Sequence, residues 1–204
     1  MAIVLEILIA TTRASTPAPV DSFLGEIDAA SFITGNALTT AVGITLGTSL
    51  SNDTAGWLKY LHKGKTLYIA KRPLRRSIGW DDLDTKGVVF GTTTVVIGGL
   101  TYKVRLMTGA TGNPYAAGSA GGEWNDLIYP VHVDDPSGKN WASYTSADLG
   151  IVSTGGYTFC QETYLSDTSR RCVRGGTTLI GMSNLAASAG NTSNSWRPVL
   201  ELVE

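Results

Sequence analysis

The stretch GVVFGTTTVVIGGLTYKVRLMTG, residues 87–109, restricts the fold more than any other part of the chain. Two β-rich runs flank Gly98 and Gly99, a pair able to adopt the positive torsions that a two-residue hairpin turn demands. With the turn placed there, the period of two along a strand puts Val95, Ile97, Tyr102 and Val104 at core positions.

One hairpin is not stable alone, and the remaining sequence offers further strands rather than long helices. Charged residues make up 16% of the chain and glycines number 24, whereas a helix bundle needs Glu, Lys and Leu at helical spacing. KTLYIAKRP alternates as a strand and ends at Pro73, and WLKYLHKGK is a strand or one or two helical turns stopped by Gly64. Short strands are expected around YTFCQET, RCVRGG and RPVLELV. GGEWNDLIYPV predicts a short helix, with Trp124, Leu127 and Ile128 at i, i+3 and i+4 and Pro130 closing it. SYTSADLG offers Ser and Thr caps for a single turn. The expected class is α+β and β-rich.

Residues 1–53 have a different texture: apolar, rich in Thr, Ala and Gly, nearly uncharged and poor in large side chains. They read as an assembly arm lying on neighbouring subunits or as the first strands of the domain. The preferred division is an N-terminal β/extended arm over 1–53 and a domain over 54–204. The opening run has no basic residues before it and is interrupted by Glu6, so it reads as a strand, Ile3 to Thr11, rather than a secretion signal.

Sixteen basic residues against 17 acidic ones give no general electrostatic reason to bind nucleic acid, and no apolar run approaches the roughly 20 residues of a membrane span. Seven of the 16 basic residues cluster locally: Lys59, Lys63, Lys65, Lys71, Arg72, Arg75 and Arg76. Such a run is usually a solvated face; its preferred use is assembly, against acidic surfaces of partner subunits.

RRCVRGGTTLIG, residues 170–181, has the look of a reactive site but lacks its parts. Arg170 and Arg174 share a strand face with Cys172, yet no His stands close to make a Cys/His pair. Cys160 and Cys172 read as small buried apolar residues or as a disulfide pair. His62 and His132 have no second His or Cys at ligand spacing, so no zinc site is expected. The glycines lack the spacing and the Lys-Ser/Thr ending of a phosphate loop. Asp134 and Asp135 belong to an Asx-turn sequence, with a structural calcium ion as the alternative. Glu123 and Glu162 could form a carboxylate pair; the preferred reading is that they orient loops. Two polar connections, VHVDDPSGKNWASY and LAASAGNTSNS, are candidate recognition loops, with Trp141 and Tyr144 as flat apolar contacts and Asn140 and Asn194 as hydrogen-bonding groups. The competing reading packs these aromatics beneath their own loop.

In order along the chain, RSIGWDDL, YKVRLMTGATGN…GGEWNDLIYP, GGYTFCQETYLSD, RRCVRGGT and SWRPVLEL resemble the motif series of the formylglycine-generating, sulfatase-modifying family, over about residues 73–202. The resemblance implies a C-type-lectin-like domain of the formylglycine-generating-enzyme type. It makes Trp80, Asp81, Glu123, Trp124, Glu162, Arg174, Gly175, Gly176, Trp196 and Arg197 structural motif residues. The oxidase members carry their cysteine pair after the Arg-Gly-Gly turn, where this chain has TTLIGMSNLAASAGNTSNS, so catalysis is not implied. The whole chain also looks like structural proteins of tailed-bacteriophage virions, in which this module recurs as a display platform. That likeness implies a non-enzymatic virion protein of the tail, baseplate or fibre, without cofactor. Its expected partners are copies of itself, other virion proteins and a host-surface glycan or protein. A capsid decoration protein, a carbohydrate-binding module and a divergent oxidase are the competing functions.

Overall fold

The computed structural model describes residues 20–151 and 155–203; the strand expected over Ile3 to Thr11 lies outside them. The architecture is α+β and β-rich, with two six-stranded sheets, mostly antiparallel, and few helices. The first sheet contains β1 (Ser22–Ile27), β3 (Trp57–His62), β4 (Lys65–Ala70), β6 (Phe90–Ile97), β7 (Leu100–Arg105) and β12 (Val199–Leu202), in the order β1-β3-β4-β12-β7-β6 and antiparallel throughout. The second contains β2 (Thr48–Ser49), β5 (Arg75–Arg76), β8 (Tyr157–Tyr164), β9 (Asp167–Gly175), β10 (Met182–Ala186) and β11 (Asn194–Trp196), in the order β10-β9-β8-β11-β5-β2. Its one parallel pairing is β8 with β11.

The expected hairpin forms: β6 and β7 turn at Gly98 and Gly99, with Val95 opposite Tyr102. WLKYLHKGK is a strand, β3, which pairs with β4 from Trp57↔Ala70 to His62↔Lys65. The helix expected at GGEWNDLIYPV is a π-helical turn, Trp124–Ile128, followed by a 3-10 turn, Tyr129–Val131, that contains Pro130.

The first sheet is covered on both faces, and period-two alternation sorts its side chains between two cores. Tyr102, Val104 and Leu200 join α2 (Trp80–Thr85), Phe159, Val173 and Trp196 in the larger core. Leu58, Tyr60, Leu67, Ile69 and Val199 face the other way, onto Trp124, Leu127, Ile128 and Val131. α2 starts at Gly79, whose N–H donates to Asp82 Oδ2 at 2.9 Å. Trp80 anchors it by donating Nε1 to the Cys160 carbonyl at 2.9 Å, while Asp81 is exposed.

Residues 20–53 belong to this domain, which corrects the boundary drawn at 53. β1 pairs with β3 along its length and β2 pairs with β5. Between them α1 (Gly35–Ala41), capped by Thr34 Oγ1 accepting from Ala37 N at 3.2 Å, places Leu38 in the larger core, and Val42 and Ile44 follow. Trp57 Nε1 donates to Ile33 O at 2.7 Å. Small side chains made the segment look unable to fold; the surface it covers belongs to β3, β4 and β7.

Removing residues 1–53 would expose the neighbours of Leu38, Val42 and Ile44, each worth about 1.5–3 kcal/mol when buried, against a typical total of roughly 5–15 kcal/mol. A 54–204 fragment should therefore show no cooperative thermal transition by circular dichroism; a sharp transition would show that the segment is separable. The two wholly buried indoles offer a finer test. Trp124 Nε1 donates to Leu179 O at 3.0 Å, whereas Trp196 Nε1 has no partner among the described residues. Trp124→Phe orphans a buried carbonyl and should cost about 1–3 kcal/mol more than Trp196→Phe in urea unfolding; equal costs would refute the difference.

Candidate functional site

Between β7 and the π-helical turn the chain leaves the sheet and doubles back. Ala110 bridges Ala120, Gly121 N donates to Gly109 O at 3.2 Å, and Trp124 N to Thr108 O at 3.0 Å. This loop walls an open cleft of about 650 Å³, lined also by Lys63, Asn125 and Asp126, with Glu162 contributed by β8. A smaller hollow of about 220 Å³ shares Lys63 and Thr108 and extends to His62, Arg105, Glu123 and Glu201.

Arg105 and two carboxylates form a buried ion-pair network beside the cleft. Arg105 donates Nη1 and Nη2 to the two Glu123 oxygens at 2.7 and 2.6 Å, and Nε to Glu201 Oε2 at 2.8 Å. Glu123 also accepts from Thr108 N at 3.1 Å, which ties the loop to the ion pair. Burial opposes the Arg105 charge, but Glu123 and Glu201 outweigh it and raise the pKa. Glu162 accepts from Gly109 N at 3.1 Å to each oxygen; burial dominates and pushes its carboxyl above the ordinary range, against those backbone hydrogen bonds. Glu123 and Glu162 thus each hold a backbone amide of the same loop. His62, itself buried, places Nδ1 2.9 Å from Asp21 Oδ2; its Nε2 has no hydrogen-bond partner among the described residues and lies 3.9 Å from Asp126 Oδ2.

At Glu201 burial raises the carboxyl, but hydrogen bonds from Lys65 and Arg105 outweigh it and hold the pKa below the ordinary value. A depressed folded pKa contributes stability that is complete above the unfolded value, about 4.3, and is lost as pH falls through the folded one. Glu201→Gln should therefore lower the urea midpoint at pH 7, with the gap to the parent narrowing as the pH falls below about 4.3; a gap independent of pH would assign the loss to packing.

The expected assembly residues do not form one basic face. Lys59 lies over the Tyr68 ring, Lys63 is 3.6 Å from Asp126, and Lys65 pairs with Glu201 and Lys71 with Glu26. Arg72 donates to Asp148 O at 2.9 Å and Arg75 to Leu46 O and Gly47 O at 2.8 and 2.9 Å; Arg76, in β5, is half-buried. These residues are spread over β3, β4, β5 and the segments between them, and the side chains of all but Arg76 have a partner of their own among the described residues.

Of the expected recognition residues, Asn140 is exposed at a positive φ of 50°. Trp141 is half-buried against Tyr60, with Lys139 Nζ 4.8 Å from its ring; Lys139 Nζ also reaches Asp126 O at 3.5 Å, linking this loop to the cleft wall. Tyr144 is half-buried and donates to Glu26 Oε2 at 2.8 Å beneath Lys71. Asn194 is a correction: it is wholly buried at the start of β11, with Nδ2 on Ala189 O, because the loop ends at Ser193, two residues before the expected end. Asp135 accepts from Ser137 N and Asn140 N at 2.7 and 2.9 Å, an Asx-type turn, while the Asp134 carboxylate points to solvent.

The motif residues are architectural. Gly175 and Gly176 have φ of 82° and 94°, and a side chain on Gly176 would run into the Tyr157 ring. Arg174 and Arg197 are wholly buried, each with its guanidinium carbon 5.8 Å from the Trp124 ring. Cys160 and Cys172 are free and buried, and burial pushes the Cys160 thiol well above its ordinary value. Sequence reading missed the Arg105–Glu201 and Asp21–His62 pairs, whose members are 96 and 41 positions apart. Among the described residues no helix is long and apolar enough to cross a membrane. No protein-family model matches the chain, and neither does any curated protein or solved structure.

Proposed function

We propose that this chain is a non-enzymatic structural protein of a tailed-bacteriophage virion, associated with its tail, baseplate or fibre. In this reading the domain is C-type-lectin-like and presents the 108–122 cleft and the 133–145 loop to a host-surface glycan. The lectin-like fold rests on the likeness of the motif series to the formylglycine-generating family, and the virion setting on the likeness of the whole chain to structural proteins of tailed-bacteriophage virions. The binding role rests on one observation, the division of labour at the cleft. Arg105, Glu123, Glu162 and Arg174 hold loops in place, while Lys63 and Asp126 stand at the cleft with exposed side chains. Exposed polar groups beside a half-buried indole suit a sugar, which needs hydroxyl partners and a flat apolar contact.

The reading is tested in two steps. Mass spectrometry and antibody labelling of purified particles should find the chain at the tail; label over the capsid shell would make it a decoration protein, and absence would end the virion reading. The double variant Lys63→Ala/Asp126→Ala and the single variant Trp141→Ala should each weaken adsorption or glycan binding at least about tenfold, some 1.4 kcal/mol, with the melting temperature kept. Unchanged binding in both folded variants would remove recognition from this cleft.

A further inference from the structure

Cys160 and Cys172 have no part in the roles given above, and the fold brings both beside Glu162, the carboxylate that holds the Gly109 amide. Cys160 and Glu162 are two apart on β8, so both project to one face of the strand. Phe159 pairs with Val173 on β9, and Cys160 and Cys172 are the next residues on the two strands, at the point where the register shifts between Phe159 and Thr163. The two thiol sulfurs and a carboxylate oxygen lie within 4.8 Å of one another, and the three residues are 0%, 0% and 3% exposed.

We propose that Cys160, Glu162 and Cys172 form a binding site for a thiophilic divalent cation, zinc or its chemical equivalents, that pins β8 to β9 at this irregularity. The proposal runs against the expectation from sequence spacing that no zinc site exists. Two sulfur donors with one carboxylate select zinc over calcium or magnesium, which take oxygen ligands. Zinc lies about 2.3 Å from sulfur and about 2.0–2.2 Å from carboxylate oxygen, so tetrahedral donors are roughly 3.8 Å apart or less. Side-chain rotations close the difference from the observed spread.

The surroundings fit an ion. Gly109 N holds both Glu162 oxygens at 3.1 Å, orienting the carboxylate. A side chain at Gly109 would lie 2.5 Å from Cys160 Sγ and 2.9 Å from Arg174 Cγ, so this glycine lets the loop, the thiol and the arginine approach one another. Two thiolates and a carboxylate carry three negative charges, which a divalent ion and the Arg174 guanidinium together neutralise. Glu162 lines the 650 Å³ cleft, which gives an ion a route from solvent.

The test uses the full chain, purified with reductant, freed of metal, and titrated with zinc and with cobalt(II) as spectroscopic probe. The expected result is one equivalent bound, a thiolate-to-cobalt charge-transfer band and a higher melting temperature with zinc but not with calcium. Cys160→Ser and Cys172→Ser should lose the band. Glu162→Gln should weaken zinc at least as much as the roughly 10–100-fold that losing an outer partner costs. Because the band is read on the unaltered protein, it reports thiolate ligation even if a variant fails to fold. No stoichiometric uptake by the folded parent, uptake without the band, or uptake unchanged in a folded Cys172→Ser would each overturn the site. So would a Cys160–Cys172 disulfide, found by thiol counting, that persists under reductant and excludes metal. None of these measurements involves a particle or a glycan, so they stand or fall separately from the proposed function.

Discussion

Trp124, with two buried guanidinium groups each 5.8 Å from its ring, is the contact on which the irregular half of the domain rests. Arg174 donates to Gly109 O at 2.6 Å, Gly181 O at 3.1 Å, Asn125 Oδ1 at 2.9 Å and the Tyr129 hydroxyl at 2.8 Å. Arg197 donates to Ala70 O at 3.2 Å, to Lys71 O at 2.6 Å and to Leu149 O. The segments so joined have little regular secondary structure, and their inward carbonyls need donors that no strand supplies. A guanidinium offers five donors in a rigid plane, and it keeps its charge under desolvation that would neutralise a lysine. Burial pushes Arg197 down to about 9, which still leaves it charged at neutral pH.

This arrangement explains how a cleft with so many charged groups around it can be rigid. The Arg105 network and Glu162 grip the 106–123 loop from the sheet side, and Arg174 grips it at Gly109 O from β9. Those side chains are committed to the loop's shape and are buried. The Lys63–Asp126 contact and the Lys139 contact to Asp126 O are partly exposed, so these groups can exchange partners with a ligand at low cost. Loops fixed on a scaffold with adaptable polar groups at their surface are a common basis for recognition.

Legibility followed the range of the interaction. The hairpin at Gly98–Gly99 and its core residues rest on local torsions and strand periodicity, and these could be read directly. The helical spacing with Leu127 and Ile128 turned Trp124 inward, and the motif resemblance did the same for Trp196; both are buried. The arm boundary, the basic face and the placement of Asn194 in a loop all depended on what distant segments would cover or pair with. The Cys160–Glu162–Cys172 cluster was illegible for the same reason: its spacing matches no linear metal motif, because a strand pairing brings the second cysteine to the first.

The amino-acid sequence by itself determined a β-rich chain with few helices, the places where it turns, and the set of large side chains that had to be buried. The tertiary structure decided which strands became neighbours. β12, near the end of the chain, enters between β4 and β7, and β11 runs parallel to β8. Torsional preferences act within a few residues and are written into each segment, whereas the partner of a strand is chosen by the surface that remains to be covered. That choice put Glu201 beside Arg105, Arg197 beneath Trp124, and residues 20–53 inside the domain.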